Sequence, residues 1–400
     1  MESTDIIAVA DCDSFFVSCE QNERPELWGK PVCVMGNNDR CIVARSAEAK
    51  KAGVRMGMPY FMAIKEFPNV IYLSGHMDLY KRKSKEVMGT LRNYIPEMEQ
   101  YSIDEAFLNF KGLRKLYQKD YYEIGQFLRT EIKEKTGIPV SIGISTSKTL
   151  AKIASYQAKK SQERVYMLCA LSHTELAKTK LEDVWGIGRR LAPKLNQYGI
   201  TNALELVETS DEWLIKKLGK RGLELKQELL GNYVYKINPN PSLPKSIQKT
   251  STFPDFTSDK NYIKNALHHH IHSACKKLRI TEYPDVTLQC STVEIILKTK
   301  DFLYFSQKTD LKFPTNWELD IIDAIDKMFE EIYNPEIIYR ASGIVLSNLI
   351  NDSKSQLSLF SCGDENAYKK NSLGKCIDSL EAKFGKNIVK TGFYNNIKDI

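Results

Sequence analysis

The chain opens on an uninterrupted apolar run, Ile6-Ile7-Ala8-Val9-Ala10, that stops at Asp11. A run this short, without alternation, predicts a strand buried on both faces, and its terminal carboxylate then emerges at the sheet edge. Residues 100–110 repeat the device, with apolar positions surrounding Asp104 and Glu105. Neighbours on a strand point to opposite faces, so these two acids can serve one point only where the strand turns or ends. Helical periodicity covers residues 120–136 and 147–160, and Val140-Ser141-Ile142-Gly143-Ile144-Ser145 between them predicts another strand. This alternation is that of an α/β or α+β sheet domain.

The pattern changes beyond residue 174. Short helices punctuated by Gly186, Gly188, Gly199, Gly219 and Gly222 run to residue 231. Residues 232–245, rich in Asn and Pro, have the composition of a linker. After it, strands at 286–291, 293–297 and 341–346 and helices at 268–278 and 318–333 predict a small α+β domain. A polar break at 351–355 and an amphipathic segment near 373–384 complete the chain.

Length and composition narrow the class. At 400 residues the chain is expected to hold two to four domains of roughly 100 to 200 residues each. It contains no run of about 18 apolar residues, so no membrane span is expected. Acids precede the first apolar run and no basic leader stands before it, which points to a cytoplasmic protein without a secretory signal. The cysteines (12, 19, 33, 41, 169, 275, 290, 362 and 376) are odd in number and form no Cys-x-x-Cys pair, as expected of reduced, packed thiols. A net charge of +7 permits a polyanionic partner.

Carboxylates at strand ends suit Mg²⁺, which takes one or two of them together with substrate phosphates and water. Residue types alone leave a plainer alternative open, in which Asp104-Glu105 is a turn pair and Asp11-Asp13 a loop. The flanking residues carry more. Ala10-Asp11-Cys12-Asp13-Ser14-Phe15-Phe16 and Tyr101-Ser102-Ile103-Asp104-Glu105-Ala106-Phe107 together resemble the two metal-binding motifs of Y-family DNA polymerases. The segments at 24–32, 41–50 and 53–59 resemble the fingers of the UmuC-like branch, the type of the bacterial DNA polymerase V catalytic subunit.

The resemblance implies an α+β multidomain right-hand polymerase. Its palm would occupy 1–20 and 75–172, its fingers 21–74, its helical thumb 173–231, its linker 232–245, its little finger 246–350, and a C-terminal tail 351–400. It implies that Asp11, Asp104, Glu105 and the main-chain carbonyl of Cys12 hold two Mg²⁺ ions, with Mn²⁺ as a substitute. Phe16 matches the steric gate that rejects a 2′-hydroxyl, with Phe15 packed beneath it. Lys159 matches the triphosphate lysine and Lys152 a supporting one. Where the DinB-like branch has Tyr-x-x-Arg on the triphosphate, this chain has Ala47 and Lys50, as the UmuC-like branch does; Lys50 is kept as a phosphate contact, with Arg45 reaching the base pair or phosphates. Lysine cannot reproduce the two-pronged contact of arginine.

Residues 184–195 resemble a helix-hairpin-helix, in which Gly186 and Gly188 let main-chain amides approach a DNA phosphate and Arg189, Arg190 and Lys194 add counter-charge. His268, His272 and Cys275 have helical spacing that could ligate zinc, but they fall in what resembles the first little-finger helix, where no metal is expected. Gln356, Leu357, Leu359 and Phe360 resemble the bacterial sliding-clamp pentapeptide. The expected function is low-fidelity, template-directed synthesis past DNA lesions. The expected partners are primer-template DNA, deoxynucleoside triphosphates and the clamp, with a UmuD-like dimer and a RecA filament as activators. The competing readings are a catalytically dead DNA- or clamp-binding accessory protein and another two-metal phosphoryl-transfer enzyme.

Overall fold

The computed structural model describes residues 5–36, 39–168, 172–240, 242–281, 283, 286–351 and 365–384. They form two compact units divided between residues 241 and 242. Among the described residues no helix is long and apolar enough to cross a membrane.

The first unit is built on a five-stranded sheet in the order Met98–Gln100, Glu105–Asn109, Ile7–Cys12, Val140–Ser145, Val165–Met167. The opening strand is central and antiparallel to both neighbours. It is apolar on both sides because both faces are covered. Ala8 and Ala10 join the core that includes Leu91, Ile124 and Leu128 of the helices Met77–Tyr94 and Tyr121–Thr136. Ile7 and Val9 meet Ala151 of the helix Lys148–Ala158 on the other face. That helix lies almost against the sheet. A Cβ on Gly143 would come within 2.0 Å of the Ser155 nitrogen, so only glycine admits the approach. The expected 120–136 helix begins at a capping box between Asp120 and Glu123.

The apolar stretch at 100–110 is two strands rather than one. The chain turns through residues 101–104, where the amides of Tyr101 and Ser102 both donate to the Glu105 carbonyl. Asp104 thus sits in the turn and Glu105 opens the next strand, which meets the geometric demand that adjacent acids impose. Residues 32–74 carry a separate three-stranded sheet, Cys41–Arg45, Val32–Gly36, Ile71–Ser74. Residues 173–229 are short helices, as the glycine punctuation predicts. The expected linker is ordered in its first part: the fully buried Glu228 accepts the amides of Val234 and Tyr235, both at 2.8 Å, and that of Thr149 at 2.9 Å.

The second unit is a four-stranded antiparallel sheet in the order Tyr304–Thr315, Leu288–Thr299, Tyr339–Asn351, Ser246–Thr257. The helices Lys260–Arg279 and Leu319–Ile332 supply the other half of its core. The strands expected at 286–291 and 293–297 are one strand with a bulge between Cys290 and Thr292. Both edge strands escape the sequence pattern because neither alternates cleanly: Phe256, Tyr304 and Phe313 are exposed, whereas the polar Gln307 and Thr309 are half-buried.

The histidine run is part of this packing. His268 Nε2 lies 2.7 Å from Asp326, and His270 Nε2 3.1 Å from the Ser342 hydroxyl. His272 is held between Glu318 at 2.9 Å and Glu381 at 3.4 Å. Glu381 belongs to the helix Glu365–Phe384, which docks on Lys260–Arg279 through charge: Lys276 also reaches Glu381, and Arg279 spans Asp378 at 2.7 Å and Glu318 at 3.1 Å. The buried carboxylates Glu318, Asp378 and Glu381 are matched by Lys276, Arg279 and His272 only when the imidazole is protonated.

Burial opposes that proton, but the hydrogen bond and charge of Glu318 prevail and raise the His272 pKa above its ordinary 6.5. A raised histidine pKa contributes stability that is complete below the unfolded value and is lost as pH rises through the folded one. The melting-temperature advantage of the full-length chain over its His272→Gln variant is therefore expected to be complete below about pH 6.5 and to shrink as pH rises above it. A pH-independent difference would show that the ring acts by packing alone.

Candidate active site

Strand register brings the two acid motifs together. Asp11 pairs with Glu105 across the sheet and with Ser141 on its other side. The Cys12 amide donates to the Asp104 carbonyl at 2.9 Å, tying the turn to the strand end. Asp11, Asp104 and Glu105 are near enough for like-charge repulsion to act among them. Burial is the larger effect: it raises the pKa of both Asp11 and Glu105, with Lys159 and Lys152 respectively pulling the other way.

Both lysines come from one helix and its end. Lys152 Nζ contacts both Glu105 oxygens at 2.6 and 2.7 Å, and Lys159 Nζ lies 2.7 Å from Asp11. Lys148, one turn before Lys152, is buried elsewhere, 2.6 Å from Glu99, and serves the fold. Among the described residues no three carboxylates converge as a closed chelate, since Asp11 and Glu105 face lysines and Asp104 accepts from the Ser102 hydroxyl. The donor set nonetheless suits a hard divalent cation: carboxylate oxygens, partly buried, in adjacent positions on paired strands. An ammonium on each of two acids marks where positive charge is required, because an unpaired buried carboxylate costs several kcal/mol.

The two aromatics after Asp13 divide their roles. Phe15 is core, with 3% of its surface exposed. Phe16 is half-buried, and the ring it stacks on is Tyr80, with centroids 4.4 Å apart and planes 13° from parallel. Phe15 only tilts against Phe16, at 5.8 Å. Phe15 thus touches Phe16 without stacking on it: consecutive helical residues point about 100° apart, so a neighbour from another helix supplies the flat surface. The Tyr80 hydroxyl is fixed by Glu20 at 2.7 Å, which also receives His76 at 2.7 Å and Arg24. Burial works against a charge on Glu20, yet these three hydrogen bonds outweigh it and hold its pKa below the usual value.

Beside the acids lies a group of cations. Lys50 Nζ donates to the Ser14 hydroxyl at 2.9 Å, where Ser14 holds a left-handed φ of 48°. Its pKa is lowered, first by burial and then by repulsion from Arg45, Lys159 and Arg164. Arg45 is directed largely inward: Nη1 donates to the Val54 carbonyl at 2.6 Å, and Nε is buried without a hydrogen-bond partner. Residue type and spacing gave no sign of Tyr80, Glu20, Ser14 or Arg164, because their roles arise from tertiary packing and left-handed turns.

In the segment expected to form a helix-hairpin-helix, Gly186 has a φ of 98°, and it is exposed together with Gly188, Arg189, Arg190 and Lys194. The flanking helices are brief, a 3₁₀ turn Leu181–Asp183 and the helix Ala192–Asn196. Gln356, Leu357, Leu359 and Phe360 lie outside the described residues.

Residues 10–156 match the model of the impB/mucB/samB family, and residues 244–359 match that of the family's C-terminal domain. Protein UmuC of Salmonella typhimurium is 35% identical over 397 residues, covering 95% of this chain and 92% of that protein. DNA polymerase IV of Treponema denticola is 30% identical, covering 95% of this chain and 94% of its own. A solved Y-family DNA polymerase chimera of Dbh and Dpo4 superposes with a TM-score of 0.73 at 25% identity, over 86% of this chain and 99% of its own.

Proposed function

Because the chain belongs to the impB/mucB/samB family and is a DNA-directed DNA polymerase, we propose that it performs low-fidelity, template-directed synthesis across damaged DNA by two-metal nucleotidyl transfer. The observation that carries the mechanism is the pairing of Asp11 with Glu105, Asp104 at the adjoining turn, and a lysine on each buried acid. DNA and a nucleotide are the substrates; the related Dbh polymerase is described in an insertion ternary complex.

The primer 3′-hydroxyl attacks the α-phosphate of the incoming nucleotide and pyrophosphate leaves. Asp11, Asp104, Glu105 and the Cys12 carbonyl would hold the two Mg²⁺ ions. Such ions, when bound, lower the pKa of the attacking hydroxyl and offset charge on the leaving oxygen. Lys159 sits at the mouth of the acid pair, where phosphate oxygens can replace Asp11 as its partner, and Lys50 adds a second point charge. Phe16, braced by Tyr80, lies flat beneath C2′ of the sugar as the steric gate. Gly186, Gly188, Arg189, Arg190 and Lys194 bind the duplex backbone without reading its sequence.

Three outcomes are expected. Asp104→Asn lowers nucleotide incorporation on a primer-template with Mg²⁺ by at least about 10³-fold while leaving the fold intact, whereas near-normal extension would exclude the metal assignment. Phe16→Ala admits ribonucleotides, and Tyr80→Leu does so more weakly by freeing the Phe16 ring; unchanged sugar discrimination in both would remove the gate. Finally, Gln356, Leu357, Leu359 and Phe360 bind the sliding clamp, and deletion of residues 356–360 abolishes clamp stimulation of primer extension. Retention of full stimulation by that variant would place clamp binding elsewhere.

A further inference from the structure

Arg164 is a cation of the active site to which the mechanism assigns no task. It lies between the helix Lys148–Ala158 and the strand Val165–Met167, with a left-handed φ of 56°. Arginine adopts that conformation at a cost of order 1 kcal/mol or more, and such residues persist where the surroundings fix them. The surroundings do so here. The Arg164 amide donates to the Ser161 hydroxyl at 3.0 Å, and its carbonyl accepts the Ile142 amide at 2.9 Å.

The guanidinium is anchored along one side only. Nη1 donates to the Lys159 carbonyl at 2.8 Å and lies 3.7 Å from Asp13 Oδ2, while Asp13 Oδ1 accepts from Ser141 at 2.8 Å. Among the described residues no hydrogen bond uses its Nε or Nη2, and the side chain is 38% exposed. It therefore stands beside Lys159 and within electrostatic range of Lys50, with donors to spare. Arg45, Lys50, Lys152, Lys159 and Arg164 outnumber the acids Asp11, Asp13, Asp104 and Glu105, and a polyanion completes the balance.

We propose that Arg164 binds the triphosphate of the incoming nucleotide and supplies the planar, two-pronged contact that Lys50 and Ala47 cannot. The inference rests on the polymerase reading. Arginine matches phosphate geometry with paired N–H donors, whereas lysine acts as a point charge. The left-handed backbone aims the fork, and Asp13 and the Lys159 carbonyl limit its rotation.

The test is steady-state single-nucleotide insertion by the full-length protein with Mg²⁺, with inorganic tripolyphosphate as a competing ligand that lacks base and sugar. Arg164→Gln is expected to raise KM for the nucleotide about tenfold, with kcat changed less than about twofold, and to weaken tripolyphosphate inhibition by a similar factor. Arg164→Lys, which keeps the charge and loses the fork, is expected to raise KM by roughly threefold and serves if the glutamine variant folds poorly. Affinity for primer-template should not change. Normal wild-type extension together with unaltered KM and tripolyphosphate inhibition in both variants overturns the inference alone, and a lowered melting temperature in that case assigns Arg164 to helix-end packing. A wild-type protein that extends no primer overturns the polymerase reading and this inference with it.

Discussion

The placement of carboxylates at the end of a buried strand is the constraint on which the first unit depends. Ile7–Cys12 has neighbours on both sides and helices on both faces, so Asp11 leaves the strand with little solvent around it. Its register partner is Glu105, which is more buried still. Negative charge so concentrated must be met by cations, and the fold delivers Lys152 and Lys159 from one helical segment. That segment reaches the acids because Gly143 has no side chain to hold it away. A single glycine in the middle of a strand is thus as much a part of the site as the acids.

The same tension leaves the acids with charge that is only partly answered. A carboxylate fully satisfied by hydrogen bonds would have a low pKa and nothing to gain from another ligand. Asp11 and Glu105 instead have raised pKa values, because burial is compensated only in part. The Glu20 carboxylate, with three hydrogen-bonding partners, shows the opposite balance and a lowered pKa. One unit therefore holds acids of two kinds, Glu20 on one side and Asp11 and Glu105 on the other, distinguished by how completely their charge is answered.

Much of this was written in the local pattern. The apolar run ending at Asp11, the strand at 140–145 and the helices beginning near 120 and 147 appear where periodicity places them, because burial on both faces leaves a strong signal. The acid pair at 104 and 105 could be interpreted only with the turn that separates Met98–Gln100 from Glu105–Asn109. The edge strands Ser246–Thr257 and Tyr304–Thr315 were invisible, since half of their residues face water and mix polar with apolar types. Tyr80 carries no local signal, and its stacking on Phe16 depends on a contact 64 residues away in sequence. The left-handed conformations of Ser14 and Arg164 are likewise imposed by tertiary bonds that neither residue type advertises.

The second unit applies the principle of answered charge to docking rather than catalysis. The helix Glu365–Phe384 buries Ile377, but Asp378 and Glu381 are buried on the same helix, and apolar contact alone would not offset their desolvation. They are admitted because Lys276, Arg279 and His272 occupy successive turns of the facing helix at spacings of four and three residues, a row that only a helix can present. An apolar seam would tolerate a slip of one turn, whereas displaced charges would lose their partners. The histidine run that in sequence suggests a metal site thus has a different physical logic: the rings of His268, His270 and His272 are committed to a carboxylate or hydroxyl, and His272 in particular fixes the register of a helix that begins more than ninety residues later.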